Sequence, residues 1–307
     1  MAELNQQKSK TLIVIVGPTA VGKTAMSIKI AQHLNCPIIS TDSRQFYKEM
    51  EIGTAKPDKS ELEAVKHYFI NSRSIKDYYT AGMYEADAIQ TLDEIFKEND
   101  YCVAVGGSGL YINGLCYGID DIPSDQQIRK ELFDRWQKEG LEVLSQEVKQ
   151  IDPEFYNESD MKNPRRVMRA LEVYQITGEK YSNLRQQKPK ERGFETIWIG
   201  LEMDLERLYE RINQRVDQMI ESGLENEVRE LLPYSTCKAF KTVGYQEFEP
   251  YFEGEYDLEK TIELVKRNSR RFAKKQYTWF RKNEDVNWFN HDDTSSIIDF
   301  IDLNKSK

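Results

Sequence analysis

Residues 11–24 read TLIVIVGPTAVGKT. Leu12 to Val16 is a continuous apolar run, the pattern of a strand buried on both faces of a parallel sheet. It passes straight into Gly17-Pro18-Thr19-Ala20-Val21-Gly22-Lys23-Thr24, which fits the phosphate-binding pattern G-x-x-x-x-G-K-[ST]. The glycines let backbone N–H groups turn inward around phosphate oxygens. Lys23 adds a point charge, Thr24 can hold Mg²⁺, and the following helix points its positive end at the anion. Ala25, Ile28, Ile30, Ala31 and Leu34 give that helix its apolar pattern. The expected fold is α/β: a P-loop parallel-sheet core with helices on both faces and an inserted helical domain. The loop alone does not say which phosphate it holds.

Outward from the P-loop, Pro37 to Asp42 is a short buried strand ending in an acid. An acid at the carboxyl end of the next strand lies beside the phosphate site. Asp42 is therefore a candidate to ligate Mg²⁺ or to take a proton from a nucleophile; capping the next turn is its simpler role. Ser43 to Tyr47 and Glu51 to Pro57 follow as a polar loop over the ligand. Glu61 to Lys66 reads as a short helix, His67 to Ile70 as a strand and Met83 to Lys97 as a helix. Tyr101 to Val105 is a third buried strand, ending in Gly106-Gly107-Ser108-Gly109 rather than in an acid. Such a turn allows close backbone approach to a ligand.

From Asp120 the composition changes. Asp121 to Ser124 reads as a linker, with helices near 126–139, 140–150 and 164–177 and a polar loop from Glu179 to Gly193. Glu195 to Leu201 returns to a buried strand, so residues 122–194 are expected to be a helical insertion between core segments 11–121 and 195–307. Leu205 to Ser222 is a helix with Arg211 and Arg215 four apart on one face. Leu224 to Leu232 is another helix, Lys241 to Glu247 a glycine-containing turn, and Leu258 to Arg281 a long basic helix. Val286 to Phe289 is a last strand, and the tail beyond it reads as polar.

Composition bounds the function. The chain has 307 residues, a net charge of −9 and ordinary apolar and charged fractions. No run approaches the length of a membrane span. Residues 1–10 read as a short disordered tail with no apolar signal core. Cys36, Cys102, Cys116 and Cys237 form no C-x-x-C pair and read as reduced residues of a cytoplasmic protein. The three histidines are scattered, which argues against zinc. The charge is uneven: Lys266 to Lys282 holds eight basic residues and no acid, and Lys162 to Arg169 holds four and no acid. An acidic body with two basic stripes interleaved with aromatics can bind a polyanion locally.

Longer strings carry a resemblance. GPTAVGKT (17–24), TDSRQFYKEMEIGTAKP (41–57), GGSGLYINGLCYG (106–118), NPRRVMRALEVY (163–174), SGLENEV (222–228), TVGYQE (242–247) and RRFAKKQYTWFRK (270–282) occur in that order. Together they make the chain resemble the tRNA dimethylallyltransferases, also called tRNA isopentenyltransferases, in their bacterial form. The resemblance implies transfer of a dimethylallyl group from dimethylallyl diphosphate to the exocyclic amine of adenosine 37 in the tRNA anticodon stem-loop. The P-loop would then hold a diphosphate leaving group rather than ATP. Asp42 would be the base. Lys23, Thr24 with Mg²⁺, Ser108 and one of Arg211 and Arg215 would bind the diphosphate. The tRNA contacts carry over onto Asp42, Ser43, Arg44 and Gln45, and onto Arg165, Arg166, Val167, Met168 and Arg169. They continue on Lys241, Thr242, Val243, Gly244, Tyr245 and Gln246, and on Lys274, Lys275, Gln276, Tyr277, Thr278, Trp279, Phe280 and Arg281, with Arg129 beside them.

The chain departs from the family strings in places. Ser108 stands for Thr, and His67-Tyr68-Phe69-Ile70-Asn71 stands for H-H-x-I-D. Asn163-Pro164-Arg165-Arg166 stands for N-D-P-Q-R, and Lys275 for Arg. Two other readings share the P-loop: a small-molecule kinase with Asp42 as base, and a prenyltransferase acting on free adenine nucleotide. A non-enzymatic RNA-binding protein would not need the intact Lys23, Thr24 and Asp42. The expected assembly is a monomer.

Overall fold

A computed structural model describes residues 10–186 and 188–305, so the expectation for the N-terminal tail lies outside the described residues apart from Lys10. The chain divides into two compact units, one of Met1–Cys116 with Arg192–Lys307 and a second of Tyr117–Glu191.

The first unit is built on six strands, β1 (Thr11–Val16), β2 (Ile38–Ser40), β3 (His67–Tyr68), β4 (Tyr101–Val105), β5 (Glu195–Glu202) and β6 (Val286–Asn290). They form one parallel sheet in the order β3-β2-β4-β1-β5-β6. β1 lies at the centre, and Leu12 to Val16 are wholly buried, which is why its sequence is apolar without alternation. Helices α1 (Lys23–Leu34), α2 (Lys59–Ala64), α3 (Ala81–Glu98) and α4 (Gly109–Tyr117) follow the first four strands. Asp58 opens α2 with a capping box, accepting from the Glu61 amide while the Glu61 carboxylate accepts from its own. β3 stops after two residues, two short of the sequence expectation, because Phe69 turns to a positive φ of 63°. The chain order reverses around β1, so the loops at the carboxyl ends of β1, β2 and β4 converge, the usual place for a ligand in an open α/β sheet.

The second unit holds α5 (Gln126–Glu139), α6 (Leu141–Ile151), α7 (Pro153–Glu158), α8 (Pro164–Thr177) and α9 (Tyr181–Leu184). Leu132, Leu144, Val148, Phe155, Val167 and Leu171 form its separate core. α7 and the single turn α9 fall where the sequence showed no helix. Asp152, buried and capping α7 through the Phe155 amide, also accepts from the Ser182 amide and hydroxyl and so holds the turn.

Returning to the first unit, the chain runs through α10 (Leu205–Glu221), α11 (Leu224–Leu231), α12 (Glu249–Phe252), α13 (Leu258–Phe280) and α14 (Thr294–Asn304). The last corrects the expectation of a polar tail. Asp293 caps α14 through the Ser296 amide, and Ile297 and Ile301, one turn apart, are fully buried in the main core. The cysteines are free. No helix of the described residues is long and apolar enough to cross a membrane.

Candidate functional site

The carboxyl ends of β1, β2 and β4 open on a cavity of about 690 Å³. Its floor is the P-loop. Gly17 has a φ of +146°, and a Cβ there would lie 2.6 Å from the Leu201 carbonyl oxygen, so only glycine fits. Gly22, left-handed at φ 109°, starts α1. Thr19, Ala20, Gly22, Lys23 and Thr24 line the cavity; Gly17, Pro18 and Val21 are buried and frame the loop from behind.

Lys23 donates to the carbonyls of Gly17 (3.0 Å) and Pro18 (2.7 Å). Burial pushes its ammonium down from 10.5 to about 7; Asp42 pulls it back up and Arg215 adds to the depression. The sign of the pH effect follows. The folded value lies below the unfolded one, so the folded chain binds fewer protons between pH 7 and 10.5. The cost of charging Lys23 is fully present below pH 7 and disappears as pH rises toward 10.5. A bound diphosphate favours the ammonium and raises its pKa. Binding of inorganic diphosphate at pH 8 is therefore expected to draw up about one proton more than the same binding by Lys23→Met, and to weaken as pH rises above 7. Calorimetry in two buffers of different ionisation enthalpy measures this, and equal proton counts for the two proteins would disprove it.

Arg211 and Arg215 enter the cavity from α10. Arg215 also reaches the Thr19 hydroxyl (3.5 Å) and the Ala55 carbonyl (3.4 Å). Burial lowers the pKa of its guanidinium, Asp42 raises it, and Arg211 lowers it again. Asp42 lines the same cavity, with Oδ1 accepting from the Arg44 amide at 2.9 Å. Gln45 donates to the carbonyls of Thr54 (3.3 Å) and Ala55 (3.2 Å), tying the Thr54–Pro57 wall to the loop after β2. Ser40, Glu61, His67, Ile70, Val105, Gly106, Gln214 and Gln218 also line the cavity.

Ser108 is placed differently from the sequence expectation. It lies outside the cavity lining. Its hydroxyl accepts from the Ser43 amide (3.0 Å) and pairs with the Ser43 hydroxyl (3.1 Å), so it fastens the Asp42 loop to the glycine turn. The turn packs against that loop closely: a Cβ on Gly106 would sit 2.2 Å from the Thr41 hydroxyl.

The residues expected to meet tRNA separate into surface and packing groups. On α13, Lys274, Lys275, Thr278 and Trp279 are exposed, as is Arg281 just past its end, where it pairs with Glu202 at 3.1 Å. Gln276 is not: it is buried, accepting from the Thr19 amide at 2.8 Å and donating to the Gly107 carbonyl at 2.9 Å. It joins two loops of the cavity, a role that 257 residues of sequence separation concealed. Phe280 is in the core, and the half-buried Tyr277 hydroxyl pairs with the Met203 amide at 3.1 Å. In the turn before α12, Lys241 is exposed and paired with Glu249, while Thr242, Val243 and Gln246 are half-buried. Gly244 and Tyr245 are buried, and Tyr245 donates to Glu227 at 2.6 Å.

In the second unit, Arg165 and Arg166 are exposed and, with Arg169, Arg185 and Tyr181, line a cavity of about 340 Å³. Val167 is wholly buried and Met168 packs on the same core. Arg129 and Arg169 both pair with the buried Glu172 at 2.8 Å, so their guanidinium groups also serve the fold of that unit. The side chains of Val167, Tyr245, Gln276 and Phe280 are thus packing elements rather than exposed RNA contacts, because each fills a core or satisfies a buried polar group.

Comparisons with known proteins fit this geometry. A family profile described as IPP transferase matches residues 45–283. The chain is 49% identical to a tRNA dimethylallyltransferase of Christiangramia forsetii, over 96% of this chain and 98% of that protein. It is 44% identical to tRNA dimethylallyltransferase 1 of Bacteroides thetaiotaomicron, over 95% and 96%. Among solved structures, the full-length tRNA isopentenylpyrophosphate transferase of Bacillus halodurans superposes with a TM-score of 0.71 at 36% identity, over 96% and 97% of the two chains. A eukaryotic dimethylallyltransferase acting on tRNA superposes with a TM-score of 0.79 at 29% identity, over 94% of this chain and 75% of that one.

Proposed function

The chain belongs to the tRNA dimethylallyltransferase family, and from that premise we propose how its site works. The enzyme transfers a dimethylallyl group from dimethylallyl diphosphate to tRNA; the acceptor we infer is the exocyclic N6 amine of adenosine 37 in the anticodon stem-loop. The observation that carries the reading is one cavity whose lining brings together a carboxylate, Asp42, a P-loop lysine and two arginines.

The amine nitrogen attacks C1 of the dimethylallyl group, the C1–O bond breaks toward diphosphate, and one N6 proton passes to Asp42. An exocyclic adenine amine is a weak nucleophile, so a carboxylate beside the forming bond is worth about 10²–10⁴-fold in rate. Charge builds on the departing diphosphate, and Lys23, Arg215, Arg211 and the P-loop amides stabilise it where water is scarce. Thr24 and Asp42 both line the cavity and offer a hydroxyl and a carboxylate oxygen. That suits Mg²⁺, which takes one or two protein oxygens together with diphosphate and water. Held by Thr24 and the diphosphate, it would neutralise charge on the leaving group. The target base must leave its stack to reach this depth.

Arg165 and Arg166 on α8, Lys274 and Lys275 on α13, and Arg281 just past its end, all exposed, supply sequence-independent phosphate contacts to tRNA. The working form in this reading is a cytoplasmic monomer. The test is incubation with labelled dimethylallyl diphosphate, Mg²⁺ and unmodified bulk tRNA. Label in tRNA at adenosine 37 is the expected result. Label in free AMP instead, or ATP turnover without transfer, would overturn it.

A further inference from the structure

Glu227, in the first turn of α11, belongs to no part of the machinery described so far, yet its carboxylate holds one wall of the cavity. Oε2 accepts from the amides of Glu51 (3.0 Å) and Ile52 (2.7 Å), and Oε1 accepts from the Gly53 amide (3.1 Å) and the Tyr245 hydroxyl (2.6 Å). Three consecutive backbone N–H groups turned toward one anion is the arrangement of an anion-binding loop. Here the protein supplies the anion itself. The loop so captured continues as Thr54 to Pro57, which lines the cavity.

The loop needs such a clamp. Ala55 has a φ of +46°, a conformation that L-residues hold only when their surroundings over-determine it. Its amide donates to the Ile52 carbonyl at 3.0 Å, and its carbonyl accepts from Gln45 (3.2 Å) and Arg215 (3.4 Å). Gly53 is pressed against Tyr245 so closely that a Cβ would lie 2.5 Å from the ring. Displacing residues 51–53 would therefore move the carbonyl on which Arg215 rests.

We propose that Glu227 is a positioning residue for the diphosphate site, clamping residues 51–53 together with Tyr245 so that Ala55 holds Arg215 over the P-loop. The inference rests on the prenyl-transfer reading for its substrate but not for its geometry. Tyr245 stands in the turn whose outer residues are expected to meet tRNA, so the clamp also ties that turn to the leaving-group site.

The experiment compares wild type, Glu227→Gln and Tyr245→Phe. Whichever way it turns, a glutamine presents its amide NH₂ toward two of the four donors, and the loss of those charge-assisted bonds is expected to raise the KM for dimethylallyl diphosphate at least about tenfold. Inorganic diphosphate affinity should fall by the same factor, with tRNA affinity unchanged within about twofold. Tyr245→Phe keeps the ring against Gly53 and loses one bond, so about a threefold rise is expected, and the double variant should fall short of the product because both changes act on one carboxylate. A folded Glu227→Gln whose KM and diphosphate affinity match wild type overturns the proposal, even if its melting temperature drops. If Glu227→Gln fails to fold, Tyr245→Phe decides alone, with an unchanged KM counting against the clamp. If wild type transfers no prenyl group, the functional reading fails, and calorimetry with inorganic diphosphate still decides on the clamp.

Discussion

Asp42→Asn is expected to lower kcat for prenyl transfer by about 10²–10⁴-fold while tRNA binds as before. Asparagine keeps the shape, and its oxygen can still accept from the Arg44 amide, so the loop after β2 should stay in place. What disappears is the negative charge that takes the amine proton. A second effect follows from electrostatics. Asp42 raises the pKa of Lys23, so its neutralisation lets that pKa sink further below about 7. Relative to wild type, diphosphate binding should therefore lose more between pH 6.5 and pH 8. Single-turnover transfer with saturating dimethylallyl diphosphate isolates the chemical step from this binding loss. A rate within about threefold of wild type would remove Asp42 as the base, since a general base in the transition state cannot be lost so cheaply.

The parts of this site that the sequence revealed are those written locally. The β1 run, the glycines and Lys23 of the P-loop, and the acid two residues past the end of β2 each signal their role within a few residues, because backbone geometry and strand burial act at short range. Arg211 and Arg215 were visible through helical spacing. The joints between these parts were not. Gln276 bonds an amide 257 residues away, and Glu227 bonds amides 174 to 176 residues away. Nothing local separates such a glutamine or glutamate from a solvated one. The same blindness made the basic helix look uniform, when Lys266 and Arg270 are spent on Asp217 and Asn213 of α10 and Lys274 and Lys275 face outward. At α14 the fault was different: Ile297 and Ile301 carried a helical signal, and the acids and serines around them outweighed it in a reading of average polarity.

Sequence spacing also left Arg211 and Arg215 equivalent, and their contacts separate them. Both line the cavity, but Arg215 spans the Thr19 hydroxyl of the P-loop and the Ala55 carbonyl of the facing wall. That bridge uses the fork, one terminal nitrogen to each acceptor, and a lysine offers its three N–H groups from a single nitrogen. Arg215→Lys, which keeps the charge, is therefore expected to lose about 10²–10³-fold in kcat/KM, the scale of removing one donor from a charge-stabilising site. Arg211→Lys should lose about tenfold at most, because the positive charge stays in the cavity and the Thr19–Ala55 bridge belongs to Arg215. The split between the constants adds a further distinction. If Arg215 acts on the charge that develops as the C1–O bond breaks, kcat should carry most of the loss; if it acts only on bound diphosphate, KM should rise with kcat unchanged. Equal losses in the two lysine variants would mean that the two arginines share the leaving group and that the bridge to Thr19 and Ala55 has no catalytic consequence.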